Sequence, residues 1–423
     1  MSNKEARAAV EAVWRSESAR IVGALARYAG DFSLAEDLAQ EALAEALVSW
    51  SVNGVPAQPV GWLLTAGRRR AIDTFRRHAA RNEKYALLAR DLSEEEPGVD
   101  TLFDPLAIDD DVLALMFISC HPVLSKEARI ALTLRVVGGM GSDEIAKAFL
   151  VPVPTIQARI TRAKKTLAAA HIPFSVPEQH EIPERLGSVL QVVYLIFSEG
   201  AFASAGDTWM RLELASEARR LARILVRLAP EPEAFGLLAL MELTAARFPA
   251  RIDRSGRPVL LEDQDRRRWD QSALRRGRAA LATAVAAGRG LGAYGLQASI
   301  AECHAVARTA GETDWQRIVI LYEALGRLAP SPVVELNRAV AVAMASGPAA
   351  GLELVDALTS RGELGSSHLP PTVKGELLTR LGRRDEARAA LNQALVLCAN
   401  AAERMALERK IAELGDAEPA DTN

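Results

Sequence analysis

The sequence predicts an all-α protein of several domains, and three observations lead to this prediction. Ala, Leu, Arg and Glu dominate the composition, while aromatic residues make up only 5% of the chain, which favours helices over sheets. Apolar residues recur with helical spacing in segments that Gly or Pro interrupts. At 423 residues the chain exceeds one ordinary hydrophobic core, so we expect about two to four domains.

Composition also excludes several classes of protein. An apolar content of 49% excludes disorder as the main state, and a net charge of −3 does not by itself indicate nucleic-acid binding. The three cysteines, Cys120, Cys303 and Cys398, are widely spaced, which argues against a disulfide framework or a thiolate zinc site. No signal-peptide pattern and no apolar run near the ~20 residues of a membrane span occur, so we expect a cytoplasmic protein.

Charge is distributed unevenly along the first part of the chain. Residues 61–90 hold eight Lys or Arg and two acids, and residues 126–168 hold eight bases and three acids. Between them, residues 91–111 hold nine acids and no base, with prolines and a glycine that disfavour helices. We interpret 91–111 as a linker between two basic domains, 1–90 and 112–172. We hypothesise that the negative charge of this linker keeps the two basic surfaces off each other until DNA competes for them.

An acidic helix face is predicted between Asp37 and Trp50. Helical spacing of about 100° per residue places the apolar side chains on one broad side: Leu38, Ala39, Ala42, Leu43, Ala46, Leu47 and Trp50. The opposite side carries acidic groups and two small apolar positions: Asp37, Gln40, Glu41, Ala44, Glu45 and Val48. This face suits either a basic, partly apolar groove of a partner or an ordinary solvated surface.

An arginine-rich helix is predicted to begin near Pro59, after a loop over residues 51–61. Its outer side carries Arg69, Arg70, Asp73, Arg76 and Arg77, while the stem of Arg68 packs near the inner edge. Clustered arginines repel one another unless an anion is present, and a phosphate backbone supplies that anion.

A helix-turn-helix pattern follows from Ser142 to Leu167, after a helix predicted over residues 128–137. Ile156, Ile160, Ala163 and Leu167 form a narrow apolar stripe on its last helix, which begins near Val153. Short polar groups and then cations occupy the remaining surface: Thr155, Gln157, Arg159, Thr161, Arg162, Lys164 and Lys165. That order is typical of a recognition helix, whose first turns contact base edges and whose cations contact phosphates.

These motifs, in this order, resemble the extracytoplasmic-function sigma factors of bacterial RNA polymerase. The matching patterns are D-L-x-Q-E…W, then P-x-x-W-L-L-T-x-x-R-x-x-A-I-D-x-x-R-R, and R-I-x-R-A-K in the last helix. The resemblance implies that residues 1–90 form sigma region 2 and 112–172 form region 4, without an intervening sigma-3 domain. One departure is Arg69, which stands where the family usually has Asn.

The resemblance also implies partners for each surface. The acidic face around Asp37 and Glu41 would dock on the β′ clamp helices of the polymerase core. The loop 51–61 and the arginine helix would read and melt the −10 promoter element. The helix 153–168 would enter the major groove at the −35 element, with its outer side near the β flap.

Residues 173–423 are predicted to form a helical extension. The segment Leu381–Leu395 looks like the second half of a tetratricopeptide repeat, and Gly347–Leu358 gives a looser copy. The segments Leu195–Ser204 and Leu260–Asp270 resemble the sigma-factor subfamily with a large tetratricopeptide-like extension. The resemblance implies regulation in cis in place of an anti-sigma factor, and a link with small DGPF-type proteins.

Other functions were weighed against this interpretation. Acids and arginines cluster in residues 262–270, and Cys303-His304 form an adjacent pair, yet no metal-ligand spacing, phosphate loop or nucleophile motif appears. We therefore expect no enzymatic activity, cofactor or metal. A stand-alone helix-turn-helix regulator with a helical sensor domain explains residues 128–169 but not the helices before them. A repeat scaffold explains only the second half.

Overall fold

A computed structural model of the chain describes residues 3–79, 105–149, 151–177, 181–202, 210–253, 259, 261–398 and 400–416. Within these ranges the protein is all-α, with eighteen α-helices, a few short 3-10 turns and no β-strand, which confirms the predicted fold class. The chain divides into two compact units, residues 1–195 and 196–423.

The first unit contains seven complete helices and the start of an eighth. They are α1 (Asn3–Ala29), α2 (Phe32–Asn53), α3 (Pro59–Ala79), α4 (Pro105–Ser119), α5 (Lys126–Val136), α6 (Ser142–Ala148), α7 (Val153–Ala169) and α8 (Ile182–Ala201). Helix α1 packs against α2, α3 and α4, and α7 closes over α5 and α6. The largest fully buried side chains of the unit include Trp50, Phe75 and Phe117.

Local sequence signals set the ends of α2. The Asp31 carboxylate accepts a hydrogen bond from the backbone N–H of Leu34 at 2.9 Å, as an N-cap residue does. The helix ends at Gly54, whose φ of +83° is accessible to glycine at little cost. The acidic face is therefore held on a helix with defined ends.

The predicted acidic linker is shorter than residues 91–111, because α4 already begins at Pro105. Proline is well tolerated at the first helical position, where its missing N–H has no intrahelical partner to lose. Asp111 is buried in α4, and its carboxylate lies 3.3 Å from the Arg27 guanidinium of α1. Residues 105–111 thus belong to the folded unit, and 91–104 lie outside the described residues.

The first unit also extends beyond the expected boundary at residue 172. Ser188 on α8 donates a hydrogen bond to the Cys120 carbonyl oxygen at 2.6 Å and accepts one from Arg129 at 2.8 Å. Leu186, Val189 and other apolar residues of α8 are buried. The first half of α8 therefore belongs to the unit that carries the helix-turn-helix.

The second unit contains ten further helices in sequence. They are α9 (Leu212–Leu228), α10 (Pro232–Ala245), α11 (Gln271–Ala286), α12 (Ala293–Val306), α13 (Trp315–Leu328), α14 (Pro332–Ser346), α15 (Pro348–Ser360), α16 (Leu369–Arg380), α17 (Arg384–Leu397) and α18 (Ala401–Asp416). From α13 onward each helix packs mainly on its neighbours in sequence. Such a series of helical hairpins builds a continuous core from local contacts.

Small residues allow two of these hairpins to pack closely. A Cβ at Gly351 would lie 2.5 Å from the Ala343 Cβ, and one at Gly375 would lie 2.7 Å from the Leu391 side chain. Ala387, on the segment compared with a tetratricopeptide repeat, is fully buried. These small residues therefore lie where neighbouring helices cross.

Glu242 on α10 is the centre of a buried charge cluster. Its carboxylate is 1% exposed and accepts hydrogen bonds from Arg219 at 2.7 Å, Arg276 at 3.1 Å and Arg223. Burial alone raises the pKa of this carboxyl, but the hydrogen bonds from Arg276 and Arg219 outweigh it and leave the pKa below its ordinary value.

We expect Glu242→Gln to destabilise the second unit by about 3 kcal/mol, because breaking a buried ion pair leaves charges without a counterion. In the wild type the contribution of the carboxylate is present at neutral pH. It is lost as the pH falls from 4.5 through the lower pKa of the folded state. Urea unfolding measures both effects. Glu302→Gln, which breaks the more exposed pair with Arg278 at 3.2 Å, is the control and should cost less than about 1 kcal/mol.

All three cysteines are buried and none forms a disulfide, as predicted. Burial raises the pKa of the Cys120 thiol to about 11, so this thiol stays protonated and unreactive at neutral pH.

In the part of the chain that the structure describes, no helix is both long and apolar enough to cross a membrane.

Candidate DNA-binding and polymerase-binding surfaces

The predicted polymerase-binding face lies on the outer side of α2. Asp37, Glu41, Ala44 and Val48 are exposed, and Gln40 and Glu45 are half-buried. On the opposite side Leu38, Ala39, Ala42, Leu43, Ala46 and Trp50 are buried as predicted. Leu47 departs from the prediction, since it is 37% exposed at the edge of the face. The helix thus presents an acidic surface with exposed apolar side chains.

Two predicted surfaces meet at Arg70 on α3. Its guanidinium lies 3.0 Å from the Glu45 carboxylate and 3.2 Å from that of Glu41, both on α2. Arg70 was predicted to contact DNA, yet it is half-buried beside the acidic face. The nearby carboxylates of α2 attract the Arg70 guanidinium. Residue spacing along α3 alone could not predict these partners, because they lie on another helix.

The other arginines of α3 follow the prediction more closely. Arg69, Arg76 and Arg77 are exposed, and Arg77 is held along its own helix by the Asp73 carbonyl oxygen at 3.2 Å. The Arg68 guanidinium lies 4.6 Å from the centre of the Tyr28 ring, so this side chain packs inward as expected. Helix α3 therefore presents three cations to solvent.

Helix α7 has the two-sided character of the predicted recognition helix. Ile156, Ile160, Ala163 and Leu167 are buried against the unit. The predicted base and phosphate contacts Gln157, Thr161, Arg162 and Lys165 are exposed, while Thr155 and Arg159 are half-buried. Leu150, in the turn that the sequence predicts before this helix, lies outside the described residues.

Lys164 differs from the other predicted DNA contacts because it is tied to α2. Its side chain is 15% exposed and donates hydrogen bonds to the carboxylates of Glu36 and, at 3.0 Å, Asp37. Glu36 is 5% exposed and also lies 3.4 Å from Arg135 of α5. A buried carboxylate requires counterions, and Lys164 supplies one. In this conformation Lys164 connects α7 with α2. The sequence had predicted a DNA contact for this side chain, and its burial corrects that prediction.

We expect Lys164→Met to destabilise the protein and Lys165→Met to leave its stability nearly unchanged. Lys164→Met leaves Glu36 with one cation and should lower the free energy of unfolding by about 2–3 kcal/mol, somewhat less than for a fully buried pair. Lys165→Met should change stability by less than about 0.5 kcal/mol, because the side chain is exposed. Urea unfolding of both variants makes the comparison. Equal stabilities would contradict the structural role of Lys164.

Helix α1 also contacts the helix-turn-helix, just after the end of α5. Gly139 has a φ of +68°, and a Cβ there would lie 2.7 Å from the Ser18 Oγ and 3.1 Å from the Trp14 carbonyl oxygen of α1. Arg15 of α1 pairs with Glu144 of α6. Sequence reasoning predicted neither contact. The Gly138-Gly139 pair indicated only a helix end.

Capping and ion pairing account for acidic groups in residues 262–270. Asp270 accepts hydrogen bonds from the N–H groups of Ser272 and Ala273 and caps α11, and Asp265 pairs with Arg267 at 3.0 Å.

Among possible metal ligands, the donor atoms of His368, Cys398 and Glu403 lie within 4.8 Å of one another. The His368 Nε2 to Glu403 Oε2 distance of 3.0 Å is that of a direct hydrogen bond or ion pair. Sequence spacing gave no sign of this group.

An acidic helix face, an arginine helix and a helix-turn-helix in this order define a transcription factor that contacts both DNA and a protein partner. Residues 13–81 match the family model of sigma-70 region 2, and residues 114–167 match that of sigma-70 region 4. Residues 185–285 match a family of unknown function, DUF6596.

Two similar proteins match longer parts of the chain. The uncharacterized protein R00370 of Rhizobium meliloti is 42% identical over 404 residues, 94% of each chain. The probable ECF RNA polymerase sigma factor SigI of Mycobacterium tuberculosis is 27% identical over 179 residues, 42% of this chain and 60% of SigI. No solved structure matches the chain. The chain belongs to the sigma-70 family of RNA polymerase sigma factors.

Proposed function

We propose that the protein is an extracytoplasmic-function sigma factor that binds core RNA polymerase through α2 and promoter DNA through α3 and α7. The observation that carries the proposal is the arrangement of exposed charge in residues 1–195. Helix α2 presents an acidic face with exposed apolar residues, and two other helices present cations. Region 2 and region 4 matches at the same helices support this assignment.

Each surface suits the chemistry of its partner. The exposed Ala44 and Val48 give the face of α2 two apolar positions, and Asp37 and Glu41 precede them on the same face with negative charge. A basic groove on the polymerase would complement this pattern. Arg76 and Arg77 on α3, in contrast, suit the phosphates of a melted −10 element.

Helix α7 would read the −35 element. Gln157, Thr161 and Arg162 are exposed away from the buried stripe of α7, where a helix in the major groove meets base edges. Lys165 would add a phosphate contact. Pro152 and Pro154 at the start of this helix differ from the usual family residues, so the base preference is this protein's own.

The C-terminal extension, predicted over residues 173–423, is proposed to be a tetratricopeptide-like domain that regulates the sigma modules in cis. Successive helical hairpins with small residues at their crossings support a repeat surface that binds a peptide or a neighbouring domain. A small DGPF-type protein is a proposed additional partner. The protein is proposed to act in the cytoplasm and to carry out no catalysis.

In vitro transcription tests the proposal. Core polymerase with the full chain should initiate at a specific promoter, and core alone should not. Tight, sequence-specific DNA binding by the chain without polymerase, combined with no core-dependent initiation, would instead establish a stand-alone regulator. A chain that ends at residue 202, checked for folding by circular dichroism, should alter promoter output if the extension regulates in cis.

A further inference from the structure

A cavity of ≈ 290 Å³ lies within the second unit. This volume is near the lower end of the ~300–1,000 Å³ range of small-molecule sites. Its walls are largely apolar and come from α13, α14 and α16: Trp315, Val340, Ala343, Met344, Val373 and Leu377. The segment 261–266 and the end of α12 close its polar side.

Three buried polar atoms on residues lining this cavity have no hydrogen-bond partner in the described structure. They are Arg266 Nη2, His304 Nδ1 and Thr313 Oγ1. Thr313 is only 5% exposed, so its hydroxyl is removed from bulk solvent. Buried polar groups normally find partners, because desolvation without a hydrogen bond opposes folding. These three atoms belong to residues of one cavity and are groups that a bound ligand or an ordered water would satisfy.

Arg266 is held in place while one of its nitrogens stays available. Its Nη1 donates to the carbonyl oxygens of His304 and, at 2.7 Å, Ala307. The guanidinium lies 4.7 Å from the centre of the Trp269 ring. These contacts fix the plane of the guanidinium, so Nη2 is positioned before any ligand binds.

The remaining charges of the cavity neutralise one another. Arg380 lies 3.0 Å from Glu262 and 3.8 Å from Glu376, and Lys410 also pairs with Glu376. His304 packs edge-on against the Trp315 ring, with 5.2 Å between ring centres. Burial and then the cations of Arg247 and Arg266 lower the pKa of His304 to about 4, so its imidazole is neutral at pH 7. The side chains that line the cavity therefore leave one excess positive charge, that of Arg266, with the Glu312 carboxylate close enough to act on it.

We propose that this cavity binds a small apolar molecule that carries one carboxylate. The carboxylate accepts hydrogen bonds from Arg266 Nη2 and the Thr313 hydroxyl, and the apolar body packs against Met344, Val373 and Leu377. These residues lie outside the segments 13–81 and 114–167 that match the sigma regions. The proposal therefore adds a ligand to the extension and stands apart from the proposed transcriptional function.

Isothermal titration of the full chain with octanoate tests this site without polymerase or DNA. We expect one octanoate per chain, bound at least about tenfold more tightly than 1-octanol or octylamine, because only the carboxylate forms charge-assisted hydrogen bonds with Arg266. Equal affinities for the three probes, or no octanoate binding, would overturn the proposal.

Two variants locate the binding site. Thr313→Val keeps the side-chain shape and should weaken octanoate binding by about tenfold, since one hydrogen bond is lost. Its melting temperature should not fall, because the hydroxyl has no partner in the unliganded chain. Val340→Phe should fill the cavity and abolish binding. Thr283→Val, which changes an exposed threonine of α11, should bind octanoate like the wild type. Unchanged binding by both cavity variants would contradict the assignment.

Discussion

Replacement of both Ala44 and Val48 by arginine is expected to abolish productive binding to core RNA polymerase. Val48 is 69% exposed and Ala44 lies one turn before it on α2, so neither side chain supports the core of the protein. Two cations would face the basic groove that the acidic surface is proposed to occupy. Like charges across an interface cost several kcal/mol, so affinity should fall at least about thirtyfold.

Titration of fluorescently labelled core polymerase with the variant measures this loss. Circular dichroism and urea unfolding should match the wild type, because exposed substitutions rarely alter stability by more than about 0.5 kcal/mol. Val285→Arg is the control, since Val285 is 56% exposed on α11, far along the chain from the sigma regions. Wild-type core affinity of the Ala44→Arg, Val48→Arg variant would remove α2 from the polymerase interface.

Replacement of both Arg76 and Arg77 by alanine is expected to block promoter opening while core binding persists. Both side chains are exposed near the end of α3, beyond Arg70 and its carboxylate partners. Each lost contact to a single-stranded phosphate should reduce the slope of log K against log salt by about 0.7. Open complexes at physiological salt should therefore fall at least about tenfold.

Permanganate footprinting of the −10 region measures the open complexes, and core titration verifies that polymerase binding is retained. Arg7→Ala with Arg20→Ala is the matched control, because it removes the same charge from exposed pairs with Glu11 and Glu17 on α1. Such pairs contribute little to stability. A similar loss in this control would attribute the effect to net charge and would remove the specific role of α3.

Local sequence was sufficient to predict α2, α3 and the helix-turn-helix of the first unit, whereas it gave no prediction for α1 and placed the start of α4 in a linker. The apolar stripe at Ile156, Ile160, Ala163 and Leu167 is buried as the helical period predicts. The same period placed Arg76 on the outer side of α3. These features depend on neighbours within one or two turns of the same helix, and the sequence contains those neighbours directly.

The sequence by itself therefore determined the all-α class, the order of α2, α3 and the helix-turn-helix, and which side of α2, α3 and α7 is apolar. Only the tertiary structure decided that Lys164 neutralises Glu36, 128 residues earlier in the chain, and does not face solvent. It alone brought Arg266, His304 and Thr313 to one cavity. The reason is physical: helical periodicity is a short-range property, whereas a buried charge or an unpartnered hydroxyl is defined by side chains that distant helices bring against it.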